Sequence, residues 1–146
     1  MDYEHIEKLL STNLRLVGLE SNQYERILSG FRNYSRYSGK AVYVWENQKG
    51  LYRMDSSHIK IPNTHTPVQI LQHIEKVRYF GIYLLKGFNQ FLGEAQTQIL
   101  LRNMSRSINA YKLAIMIDEK LVIPQAMIGQ ILLTKPRMEP VLAKTA

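Results

Sequence analysis

Apolar positions along this chain recur with two different periods, and the change from one to the other marks the elements. Leu14, Leu16, Val17 and Leu19 form a short buried-strand pattern that ends near Glu20, and Ser21 or Asn22 follows as a candidate N-cap. Tyr24, Ile27, Leu28, Phe31 and Tyr34 then fall at helical spacing, with Arg26, Arg32 and Arg36 turned away from that stripe. Ser38-Gly39 stops this helix. Ala41 to Trp45 is rich in β-branched and aromatic residues, as strands are. After the polar turn Glu46 to Gly50, Leu51 to Met54 reads as the return strand of a hairpin.

Ser56 to Thr64 is polar and reads as an irregular loop. Thr66, Pro67 and Gln69 then supply an N-cap, a proline at the first helical position and a capping-box partner. Ile70, Leu71, Ile74 and Val77 form the inward stripe of that helix. Gly81 to Leu85 is a nearly continuous apolar strand. The spacing predicts the longest helix from Glu94 to about Tyr111, with Leu100, Leu101, Met104 and Ile108 inward and Arg102 and Arg106 on a polar side. Leu113 to Ile117 is a further apolar strand that ends at Asp118-Glu119. Strands apolar on both faces, alternating with helices, predict an α/β fold. The expected form is a three-layer sandwich of about five mainly parallel strands, with one hairpin and helices on both faces. Residues 1–133 read as a single domain, and 134–146, with Pro136 and Pro140, as a basic tail.

Composition narrows the chemistry. The 146 residues are 45% hydrophobic and 21% charged, which excludes wholesale disorder and suits one core. With no cysteine, disulfides, thiol catalysis and Cys-type zinc sites are excluded. No apolar run approaches the ~20 residues that cross a bilayer. The acidic start, Met1 to His5, is unlike a secretory signal, so a cytoplasmic location without membrane insertion is expected. Nineteen Lys and Arg against twelve Asp and Glu leave a net charge of +7, which attracts polyanions without saying anything about the fold.

Candidate chemistry is thin. A phosphate loop needs glycine-rich backbone and then Lys with a hydroxyl residue at a helix start. The stretch Gly18 to Gln23 has one glycine and no lysine, and its Glu20 repels phosphate. Gly39-Lys40 follows a helix and precedes a strand, the reverse context. Asp118 and Glu119 imitate the strand-end acids of nucleotide hydrolases, but any parallel strand ends in this way. His5, His58, His65 and His73 lack metal-ligand spacing, and no G-x-S-x-G elbow occurs. Tyr34, Tyr37, Tyr43 and Trp45 among Arg32, Arg36 and Lys40 suggest a single-strand stacking surface. Tyr43 and Trp45 share one strand face, however, which favours core packing.

Four stretches carry a likeness to a known family. They are Ala41 to Trp45 with Gly50-Leu51; Thr66-Pro67 with Ile70-Leu71; Gly81 to Phe88 with Phe91-Leu92; and Leu101-Arg102 through Ser107 to Ile123-Pro124. On these, the chain from about Leu14 to Met127 resembles the N-terminal region of cyanobacterial and plastid-type AAA family ATPases. The resemblance implies a degenerate phosphate-loop (P-loop NTPase-like) α/β domain without a nucleotide motif, placed before the ATPase module. Gly87 departs from the acidic residue of the family's strand-end pattern, and the Walker motifs and arginine finger of the module are missing. The expectation is therefore a non-catalytic protein-interaction or regulatory domain with no cofactor and no metal. Its partner would be a protein, an AAA ATPase or a second copy. The alternative is a nucleic-acid-binding module. In either case Arg26, Arg32, Arg36, Arg102 and Arg106 are the candidate interaction face.

Overall fold

A computed structural model describes residues 1–12, 15–106 and 112–134. Strands β1 (Leu16–Glu20), β2 (Val42–Glu46), β3 (Gly50–Arg53), β4 (Lys60–Ile61), β5 (Gly81–Lys86), β6 (Lys112–Asp118) and β7 (Leu132–Thr134) form one sheet. Helices α1 (Tyr3–Ser11), α2 (Tyr24–Ser38), α3 (Pro67–Lys76) and α4 (Ala95–Ser105) cover its faces. The strand order is β4-β3-β2-β5-β6-β1-β7. The stretch from β2 to β7 is parallel, and the hairpin partner β3 with β4 adds an antiparallel edge. The α/β fold with helices on both faces is the expected one.

The sheet has seven strands, not about five. One addition, β4, lies inside the polar stretch read as irregular, and the other, β7, ends at Thr134. Residues 135–146 of the expected tail, Leu14, and positions 107–111 of the helix expected from Glu94 to about Tyr111 lie outside the described residues. Helix α1 is also an addition. Asp2 caps it by accepting the His5 N–H at 3.0 Å, and Ile6 is buried.

Period-2 alternation sorts the strand residues between two cores. Val17, Leu19, Val42, Val44, Ile82, Leu84, Ile115 and Ile117 face α1 and α2, where Ile6, Ile27, Leu28, Phe31 and Tyr34 meet them. Leu16, Tyr43, Trp45, Tyr83, Leu85 and Met116 face α3 and α4, against Ile70, Leu71, Ile74, Leu101 and Met104. Leu100 and Val77 are only partly buried.

Local chemistry sets the helix ends. Gly39 stops α2 at φ +75°, a conformation that costs glycine nothing. Thr66 and Gln69 form the full capping box of α3, behind Pro67. The N-cap of α2 is Gln23 and not Ser21 or Asn22, because the Ser21 N–H donates to the Asp118 carbonyl at 2.9 Å and prolongs the strand register. The Ser21 hydroxyl accepts the Gln23 N–H instead. At the far end of the sheet, buried Lys112 donates from Nζ to the carbonyls of Ile74 and Glu75, at 2.7 and 3.1 Å. Its cation thus satisfies the C-terminal end of α3, where the helix dipole is negative.

Candidate functional site

In open α/β sheets a ligand enters the crevice beyond the strand carboxyl ends, where connections leave two neighbouring strands in opposite directions. Here the chain leaves β1 through α2 towards β2, and leaves β6 the other way towards β7. The switch point therefore lies between β1 and β6, whose last residues, Glu20 and Asp118, are partners in register.

That crevice is filled by the chain's own backbone. A Glu20 carboxylate oxygen accepts the Leu121 N–H at 2.9 Å. Asp118 accepts the Asn89 N–H at 2.9 Å, and the Asn89 side-chain oxygen accepts the Val122 N–H at 2.7 Å. Burial holds the Asp118 carboxyl above its usual range, while the amides of Asn89 and Phe88 and the Lys86 charge act in the opposite direction. Gly87 follows β5 at φ +78°, and its N–H donates to the Ile117 carbonyl. An acidic side chain there would be strained, which gives the missing strand-end acid a backbone reason. Lys86 lies 4.4 Å from the Tyr24 ring and 3.9 Å from Glu46. Glu20 and Asp118 thus hold the loops beyond the carboxyl ends of β1 and β6.

The candidate arginines do not form one face. Arg26, Arg32 and Arg36 are on α2, and Arg102 and Arg106 are on α4, across the sheet. Arg26 donates to the Gln23 side chain at 2.9 Å. Arg102 is half-buried, with its Nε enclosed and without a hydrogen bond. Arg106 is the exposed C-cap of α4. Arg32 and Arg36 come together with Ser35, Met54 and Asp55 around an open cleft of about 320 Å³. Asp55 is already bonded to Arg53 at 3.0 Å. Met54 and Asp55 were not legible as site residues, because the cleft wall is a short 3₁₀ turn (Met54–Ser56) meeting a helix distant in sequence.

The aromatic group is divided as well. Tyr34 packs with α2's core, Tyr43 and Trp45 lie on the opposite sheet face, and Tyr37 is 81% exposed. Trp45 is fully buried, and its indole N–H donates to the Thr64 carbonyl at 2.6 Å. The four histidines are dispersed, and among the described residues no group of three or more His, Asp or Glu could hold a metal ion. Among the described residues, no helix is long and apolar enough to cross a membrane.

Residues 2–135 match the family model of the SpoVK-like AAA ATPase N-terminal domain. The chain belongs to that family. None of the curated proteins or solved structures searched matches it. The matched N-terminal domain spans both cores and the closed crevice, and these 146 residues contain no ATPase module.

Proposed function

We propose that this AAA ATPase N-terminal domain is a non-catalytic protein-interaction or regulatory module that hydrolyses no nucleotide itself. Its partner is an AAA ATPase or a second copy of the chain. One observation carries the reading: the crevice between β1 and β6 is occupied by the Leu121 amide on the Glu20 carboxylate. An anionic phosphate entering there would meet a carboxylate in a partly buried position, where like charges repel strongly. Surface chemistry remains available on the outer side of α2, where Arg32 and Arg36 stand free of ion pairs among the described residues.

Calorimetric titration with ATP and GTP, with and without Mg²⁺, tests the reading. Only dilution heats are expected at ligand concentrations of about 1 mM. Saturable binding in the micromolar range would overturn it. Cell fractionation tests the cytoplasmic location that goes with this reading.

A further inference from the structure

We propose that the cleft between α2 and the 3₁₀ turn Met54–Ser56 binds an Asp/Glu-rich segment of a partner protein, with its carboxylates on Arg32 and Arg36. The inference rests on the interaction-domain reading and names the chemistry of the partner.

Arg32 and Arg36 are four apart on one helix, so their like charges are neighbours and repel. Among the described residues neither has an ion-pair or hydrogen-bond partner, whereas nearby Arg53 has Asp55 and Lys40 has Glu7. The one acid lining the cleft is thus already committed, and the two guanidinium groups are left without a counter-charge. Met54 gives the cleft an apolar wall, suited to the methylene of an acidic side chain. At about 320 Å³ the cleft stands at the small end of ligand sites, which begin near ~300 Å³. Guanidinium forks match carboxylates in two-point geometry, which favours a short acidic stretch seated at this point. Beside the cleft, Lys60 lies 4.4 Å from the Tyr52 ring, where the charges of Glu46 and Glu25 act as well as that of Arg32.

A nucleic-acid strand fits less well. It carries charge at every nucleotide and needs a continuous cationic track. Of the remaining candidate arginines, Arg102 and Arg106 are on the other side of the sheet, and Arg26, on α2, donates to the Gln23 side chain.

The test is fluorescence anisotropy with a labelled peptide of alternating Asp and Glu, its Asn/Gln counterpart, and a single-stranded oligonucleotide. Each is titrated at low and at physiological salt. The acidic peptide is expected to bind, and the neutral peptide is not. R32A/R36A is expected to weaken binding about tenfold or more, R32K/R36K by less, and R106A within about twofold. Circular dichroism checks that each variant folds. Equal binding of acidic and neutral peptides, or binding unaffected by R32A/R36A, would overturn the proposal. So would tighter binding of the oligonucleotide that the same variant loses. Absence of peptide binding together with absence of nucleotide binding removes this proposal alone. Saturable nucleotide binding removes the interaction-domain reading beneath it.

Discussion

Replacing Trp45 separates two contributions that meet at one buried side chain. Its indole is fully buried on the α3 and α4 side of the sheet, with the Phe88 ring 5.5 Å away. Its N–H satisfies the Thr64 carbonyl, and Thr64 in turn accepts the Leu51 N–H and donates to the Ile61 carbonyl. Truncation to alanine removes an aromatic ring from a packed core, which costs about 3–5 kcal/mol. Phenylalanine keeps most of the ring but leaves the Thr64 carbonyl without its donor, at about 1–3 kcal/mol. Against a total stability of about 5–15 kcal/mol, W45A brings the domain close to unfolding, while W45F remains folded. Urea unfolding followed by far-ultraviolet circular dichroism measures both. The fluorescence of Trp45, the sole tryptophan, should be blue-shifted in the native state and move red on unfolding. A cost below about 1 kcal/mol for W45A, or a native emission open to aqueous quenchers, would refute the burial on which the argument depends.

Gly30 lies within α2, and a β-carbon there would stand 2.1 Å from the Met1 carbonyl oxygen. G30A should therefore not gain the ~1 kcal/mol that helix propensity alone favours, and a clear rise in melting temperature would show that the N-terminus does not pass so close. Glu7 and Asp118 should act oppositely with pH. The Tyr34 hydroxyl bond, and then Lys40, depress the Glu7 carboxyl, so its stabilisation is present at neutral pH and lost as pH falls through its lowered value. Burial raises Asp118, so its charged form carries a cost at neutral pH that acidification relieves. Relative to the unmodified chain, E7Q should lose stability at neutral pH and D118N should gain it. Both differences should shrink in acid, and equal signs in urea midpoints would refute the assignment.

The fold was legible where a short stretch carries its own physics. Thr66-Pro67 with Gln69, Gly39 and the apolar run Gly81 to Leu85 each fix an element without help from distant residues. The two extra strands were not, because two and three residues are too few for a period, and Lys60-Ile61 stands among polar neighbours. Helix α1 carries a local signal of its own, with Ile6, Leu9 and Leu10 behind an Asp2 cap. The arginines show the deeper limit. Their outward orientation follows from helical spacing, but which side of the sheet a helix takes depends on crossovers that no local pattern contains. That is why no local pattern joins Arg32 to Met54 or parts it from Arg102.

The closed crevice and the open cleft follow from one strand order. With β1 set between β6 and β7, the loop after β6 must pass over the end of β1, and its Leu121 amide meets Glu20 there. A carboxylate serves that loop well, since it accepts a buried N–H more strongly than a neutral group does. The same charge makes the position unsuitable for phosphate. At the other side, β3 and β4 extend the sheet past α2, so that the turn after β3 forms a wall beside the helix's outer arginines. An exposed pair of like charges is tolerated at that rim because water screens it. In the proposed complex an acidic group displaces that water. On the proposed reading, the chain itself takes the position that a nucleotide would need, and Arg32 and Arg36 are left for a partner.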